Sequence, residues 1–104
     1  MATIQDLMNV IPNGRANAIH APELATRLGL STGGTQEATR ALVRKANLQG
    51  EMIVNTLDEG FWLSNDKQEV IDYINALYSR IQGTLDRIDA LKSHWNASHP
   101  NNLI

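Results

Sequence analysis

From Asn65 the chain runs to Pro100 without a proline. Its apolar positions fall at Val70, Ile74, Leu77, Ile81, Thr84, Ile88, Leu91 and Trp95, with spacings alternating between four and three. That spacing repeats every seven residues and lays one stripe along a single helix. The helix is on the order of 45 Å long at ~1.5 Å per residue, and Asn65 with Gln68, or Asp66 with Glu69, can cap its start. In a chain of 104 residues it is too long to pack wholly against what remains. The sequence therefore predicts a head over residues 1–64, a long helix over 65–97 and a flexible tail over 98–104.

The stripe has the grammar of a coiled coil. With Ile74, Ile81 and Ile88 at a positions, Val70, Leu77, Thr84 and Leu91 fall at d, and Ile at a with Leu at d favours two parallel strands. Thr84 is the one soft position. The e positions Ile71, Tyr78 and Leu85 are apolar as well, so the stripe is wider than a two-stranded seam requires. It suits a helix that covers its own head first and a partner further on, a larger bundle, or a helix folded back on its own head. Self-association, with a homodimer first, is the expectation for Val70, Ile74, Leu77, Ile81, Thr84, Leu85, Ile88, Leu91 and Trp95. Gly83 lies off the seam and costs about 1 kcal/mol relative to Ala.

The head reads as three helices and a hairpin. Thr3 with Asp6 forms a capping box for a helix over Thr3 to Ile11, in which Ile4, Leu7, Met8 and Ile11 share a face. Pro12-Asn13-Gly14 stops it, and Asn17 to His20 is a short segment suited to a minor strand. Pro22 fits the first turn of a second helix that ends at Gly29. A third helix is expected over Thr35 to Asn47, after the Gly33-Gly34 pair. Helix, glycine turn, helix is the unit that helix-turn-helix DNA-binding proteins use. Met52 to Asn55 and Phe61 to Leu63 read as two strands around the turn Leu57-Asp58-Glu59-Gly60. Phe61 and Leu63 share the core-facing side of the hairpin, and Trp62 points the other way, toward the long helix.

The third helix carries the polar chemistry. At 100° per residue Thr35, Thr39, Leu42 and Ala46 cluster on one face with Val43 at its edge, and Gln36, Arg40, Arg44 and Asn47 cluster nearly opposite. Arginine can grip the O6 and N7 of guanine, and Gln or Asn can pair with adenine. The charge agrees locally: between Ser31 and Gly50, Arg40, Arg44 and Lys45 stand against Glu37 alone, although the whole chain carries a net charge of −2. An acidic chain counts against a nucleic-acid partner; this segment counts for one.

The run Leu24-Ala25 through Leu28-Gly29-Leu30-Ser31, then Arg40-Ala41-Leu42-Val43, Gly50, Ile53 and Gly60-Phe61-Trp62-Leu63-Ser64, resembles the winged helix-turn-helix proteins of bacteriophages and prophages. Those are similar to the biotin-repressor type of winged domain with a helical tail. The resemblance spans about residues 16 to 80, and the order and spacing of short motifs carry it. It implies a mainly α fold with a small β-hairpin, a winged helix-turn-helix followed by a long C-terminal coiled-coil-like helix. It implies sequence-specific binding of double-stranded DNA by a dimer, in phage transcription regulation or replication. The helix from Thr35 would enter the major groove and Asn55 and Thr56 would belong to the wing. Arg40 and Arg44 would read bases with Gln36 and Asn47 assisting, and Lys45 and Arg15 would touch phosphates. Two departures stand out: the loose Gly33-Gly34 turn, and a wing tip bearing Asp58 and Glu59, which would repel phosphates.

Other chemistries find little support. The chain has no cysteine, which removes disulfides, thiolate metal sites and a cysteine nucleophile. His20, His94 and His99 are scattered, and Gly33-Gly34 lacks the Gly-Lys-Ser/Thr of a phosphate loop. Asn96-Ala97-Ser98 matches a glycosylation acceptor by chance. No cofactor, no metal and no enzymatic activity are expected. With no apolar run near ~20 residues and no secretory signal at Met1 to Val10, the expected location is the cytoplasm of a bacterial host, with no membrane partner. The alternative is a protein-interaction module, a replication accessory or small packaging subunit of the terminase type, whose long helix recruits a phage partner or assembles a ring.

Overall fold

A computed structural model describes all 104 residues. The chain is mainly helical, with a two-stranded antiparallel hairpin and a long C-terminal helix. Its elements are α1 (Ile4–Val10), a short 3-10 turn (Arg15–Asn17), α2 (Ala21–Leu28), α3 (Glu37–Leu48), β1 (Ile53–Thr56), β2 (Gly60–Leu63) and α4 (Lys67–Ser98). They form two compact units, Met1–Tyr73 and Ile74–Ile104. No helix is long and apolar enough to cross a membrane.

Local chemistry sets the helix ends of the first unit. Thr3 caps α1: its hydroxyl accepts from the Asp6 N–H at 3.1 Å, and its own N–H donates to the Asp6 carboxylate at 2.9 Å. Two otherwise orphaned donors are thereby satisfied. Pro22 sits in the first turn of α2, where its missing N–H costs nothing. At the far end Gly29 takes the left-handed conformation that lets the Leu30 N–H reach back to Ala25 O. Arg27 pairs with Glu23 and donates to Val10 O, tying α2 to the end of α1. The connection from Gly29 to Gln36 is about twice the three or four residues of a tight helix-turn-helix turn. In consequence α3 begins at Glu37, two residues later than its pattern predicts.

The hairpin pairs Ile53 with Leu63, Val54 with Trp62, Asn55 with Phe61 and Thr56 with Gly60. It gains a third chain segment where Ile19 and Phe61 exchange backbone hydrogen bonds of 3.1 and 2.6 Å. The minor strand expected near Asn17 to His20 is this single bridge. Phe61 and Ile53 join Leu7, Ile11, Ile19, Leu24, Leu42 and Val43 in one buried core, with Leu63 packed at its edge. Each such side chain contributes on the order of 1.5–3 kcal/mol on burial. Val54 and Trp62 are buried on the opposite hairpin face.

One core position works against this economy. Thr39 is fully buried on α3 and its hydroxyl has no hydrogen-bond partner. The carbonyl one turn back, Thr35 O, already accepts from Arg40 Nε at 2.6 Å. A buried hydroxyl left unpaired costs about 1–3 kcal/mol, whereas an apolar group of the same shape does not. Thr39→Val is therefore expected to raise unfolding free energy by about 1 kcal/mol in urea titration. A loss of stability would mean that the hydroxyl has a partner.

The start of α4 follows the second of the two expected caps. Asp66 Oδ1 accepts from the Gln68 and Glu69 N–H groups at 2.8 and 3.4 Å. The Glu69 carboxylate accepts from Trp62 Nε1 at 2.9 Å and from the Ser64 hydroxyl at 2.7 Å, so the first turn is pinned to the hairpin. Trp62 thus faces the long helix, as its strand parity predicts. Beyond Tyr73 the helix runs on without interruption through Gly83, where there is open space around the backbone.

The tail departs from expectation. Residues 98–104, expected to fray, fold back on the last turn of α4. Trp95 Nε1 donates to Asn102 O at 2.7 Å, and its ring stacks on His99 with centroids 3.7 Å apart. Asn96 exchanges two hydrogen bonds with the backbone of Ile104. Side-chain amides and one indole supply the partners that the helix end lacks.

Candidate nucleic-acid interface

The outward face of α3 is set by what α3 buries. Thr39, Leu42, Val43 and Ala46 point inward. At 100° per residue the opposite side of the helix carries Glu37, Ala41, Arg44 and Leu48, flanked by Arg40 and Lys45. All are exposed except Arg40, which is half-buried. Arg44 and Lys45 form no ion pair, and neither does Arg40. By contrast Arg15 and Arg27, the arginines of the first unit outside α3, are both paired with glutamates. This face is the one place in Met1–Tyr73 where three cations stand together without carboxylate partners.

Several residues expected on that face do other work. Gln36, expected to face solvent and read adenine, is buried at the N-cap of α3 with φ of 54°. Its amide donates to Thr32 O and Gly34 O, both at 2.9 Å, and so closes the α2–α3 connection. Asn47, expected beside it, is half-buried and donates to Glu51 O and Ile53 O, fixing the passage into β1. Both positions lie beside the buried face of the helix and not across from it. Thr35, expected to pack inward, is exposed ahead of the helix and donates to Glu37 Oε1. Arg40 keeps its place, with Nε held by Thr35 O and its guanidinium 5.8 Å from the Phe61 ring centre. Glu37 and Ala41 were missed by the polar pattern. The phase of Thr39, Leu42 and Ala46 would have found them.

The wing is clasped from below. Arg15, expected to touch phosphates, instead binds Glu59 in a fork, Nε to Oε2 at 2.6 Å and Nη2 to Oε1 at 2.7 Å. Its guanidinium also lies 5.5 Å from the Trp62 ring centre. Thr56, an expected wing contact, donates its hydroxyl to Glu59 Oε1 and accepts from the Glu59 N–H. Asn55, the other, sits half-buried opposite Phe61 with no side-chain hydrogen bond. One of the two wing carboxylates is therefore neutralised within the protein, leaving Asp58 as the tip's unpaired charge.

The clasp makes the wing sensitive to acid. Hydrogen bonds from Arg15, then from Thr56, hold the Glu59 carboxyl below its ordinary range, and Glu59 raises Arg15 in turn. A carboxyl depressed by folding contributes stability above its unfolded pKa and loses it as pH falls through the folded one. The stability gap between the native protein and Glu59→Gln is thus expected to be constant at neutral pH. It should close as pH drops through and below the usual glutamate range, as thermal melts would show. A gap independent of pH would mean that the pair adds nothing.

The oligomerisation residues lie along α4. Val70 is half-buried in the first unit. Ile74, Leu77, Ile81, Thr84, Leu85, Ile88, Leu91 and Trp95 are exposed in the second. The Thr84 hydroxyl turns back onto Arg80 O, and Trp95 is engaged by the tail. Set against protein families, curated proteins and solved structures, the chain gives no match.

Proposed function

We propose that the chain is a sequence-specific binder of double-stranded DNA built as a winged helix-turn-helix, as in the bacteriophage proteins that its sequence resembles. The observation that carries this reading is the unpaired trio Arg40, Arg44 and Lys45 on the outward face of α3. The element order supports it: a helix, a bridging segment, two helices and a hairpin. A protruding helix of this diameter fits the major groove. Arg44, central on the face and free of internal bonds, is the principal base reader. Arg40 and Lys45 flank it, toward the phosphates, and Ala41 leaves room for close approach. With Glu59 held by Arg15, the wing presents less negative charge to the backbone than its sequence suggests.

Anisotropy with a randomised duplex pool across a salt series tests the reading. Binding should weaken as salt rises, because each neutralised phosphate releases counterions. Arg44→Ala should lose about 1–3 kcal/mol on the preferred site and blur preference at one position, while Lys45→Ala should weaken all sequences alike and lower the salt slope by about 1. No binding at low salt would overturn the proposal and turn attention to α4 as a docking surface for proteins.

A further inference from the structure

In the second unit, the seam of α4 is bounded at both ends. It begins at Ile74, where the first unit stops, and it ends before Trp95, whose ring is stacked on His99 and whose indole N–H is bonded to Asn102. Between these limits lie Ile74, Leu77, Ile81, Thr84, Ile88 and Leu91, centred between Gln82 and Gly83. Reversed end for end about that centre, the seam matches itself. Ile74 meets Leu91, Leu77 meets Ile88, and Ile81 meets the smaller Thr84. Every pairing sets an a position against a d position, as two antiparallel helices require.

The flanks of the seam decide between the two directions. On one side stand the e positions Tyr78 and Leu85, 67% and 48% exposed. On the other stand the g positions Arg80 and Arg87, without ion pairs. In a parallel pair each e position faces a g position of the partner, which would lay Arg80 against Leu85 and set Arg87 beside Lys92. Two apolar groups would be poorly covered and two like charges would meet. Reversing one helix brings e against e and g against g. Tyr78 then packs on Leu85 of the other copy, twice, and the arginines line the opposite, solvent-facing edge, where salt screens their repulsion.

We infer that the occupant of this face is a second copy of the chain, running antiparallel, and not the parallel strand that Ile at a and Leu at d would select. The inference does not depend on DNA binding. Because the chain has no cysteine, single-cysteine variants of the full-length protein report direction cleanly. Under oxidation Ile74→Cys mixed with Leu91→Cys should give a disulfide-linked heterodimer, and either variant alone should stay unlinked. In the antiparallel pair the two copies of residue 74 lie about 26 Å apart along the axis. Sedimentation equilibrium should show a dimer for the native chain and a monomer for Ile81→Asp. Self-linking of Ile74→Cys would overturn the direction, and a native monomer or a larger assembly would overturn the pairing itself.

Discussion

Replacing Gly60 by alanine is expected to cost roughly 3–5 kcal/mol, from the loss of two backbone hydrogen bonds at about 1 kcal/mol each and about 1–3 kcal/mol of backbone strain. Gly60 opens β2 with φ of 94°, a conformation closed to most side chains. A Cβ built there would lie 2.2 Å from Ile19 O and 2.4 Å from Ile19 C. These are backbone atoms and no rotamer change can move them aside. The segment before α2 would have to lift away, breaking the two hydrogen bonds between Ile19 and Phe61. For a unit of this size the melting temperature should fall by about 15 °C or more, measurable by circular dichroism. A shift of only a few degrees would show that the Ile19 segment can yield, so that the bridge is not what locks the hairpin to α2.

Trp62→Ala is expected to be comparably severe, about 3–5 kcal/mol, the range for deleting a large buried aromatic. Trp62 is nearly inaccessible, lies under the Arg15 guanidinium and donates its indole N–H to Glu69. Its removal leaves a cavity and frees the first turn of α4 from the hairpin at once. Trp62→Phe separates these effects, since a phenyl ring keeps most of the packing and the cation's platform but has no N–H. That variant should lose about 1–2 kcal/mol, because Glu69 retains its bond from Ser64. Equal losses in both variants by urea titration would place the whole contribution in the hydrogen bond.

How far these features could be read from the sequence depended on how local their causes are. The capping box of α1, the Gly29 stop of α2, the hairpin and the length of α4 all rest on signals within a few residues of one another, and each appears where its pattern puts it. The phase of α3 was harder. Its start depends on Gln36 adopting a left-handed backbone, a conformation for which glutamine gives no signal, and on the loop that Gln36 itself ties. Asn47 was misassigned for a related reason. An exposed-looking amide at the end of a helix turned inward to satisfy two carbonyls of the following segment. Arg15 could not have been placed at all, because its partner Glu59 lies 44 residues away and only the tertiary fold joins them. The tail was legible in principle, since Trp95 and His99 sit one turn apart on a helix face.

The two tryptophans fall one to each unit, and their surroundings differ. Trp62 is dry and held by a carboxylate, while Trp95 is partly exposed and stacked on an imidazole. The chain thereby carries an optical reporter for each half, with Trp62 emitting from an apolar setting and Trp95 from a wetter, ring-quenched one. Melting of the head and release of the tail clasp should change the colour and the brightness of the emission separately, so a single unlabelled sample can show whether the halves come apart together or in turn.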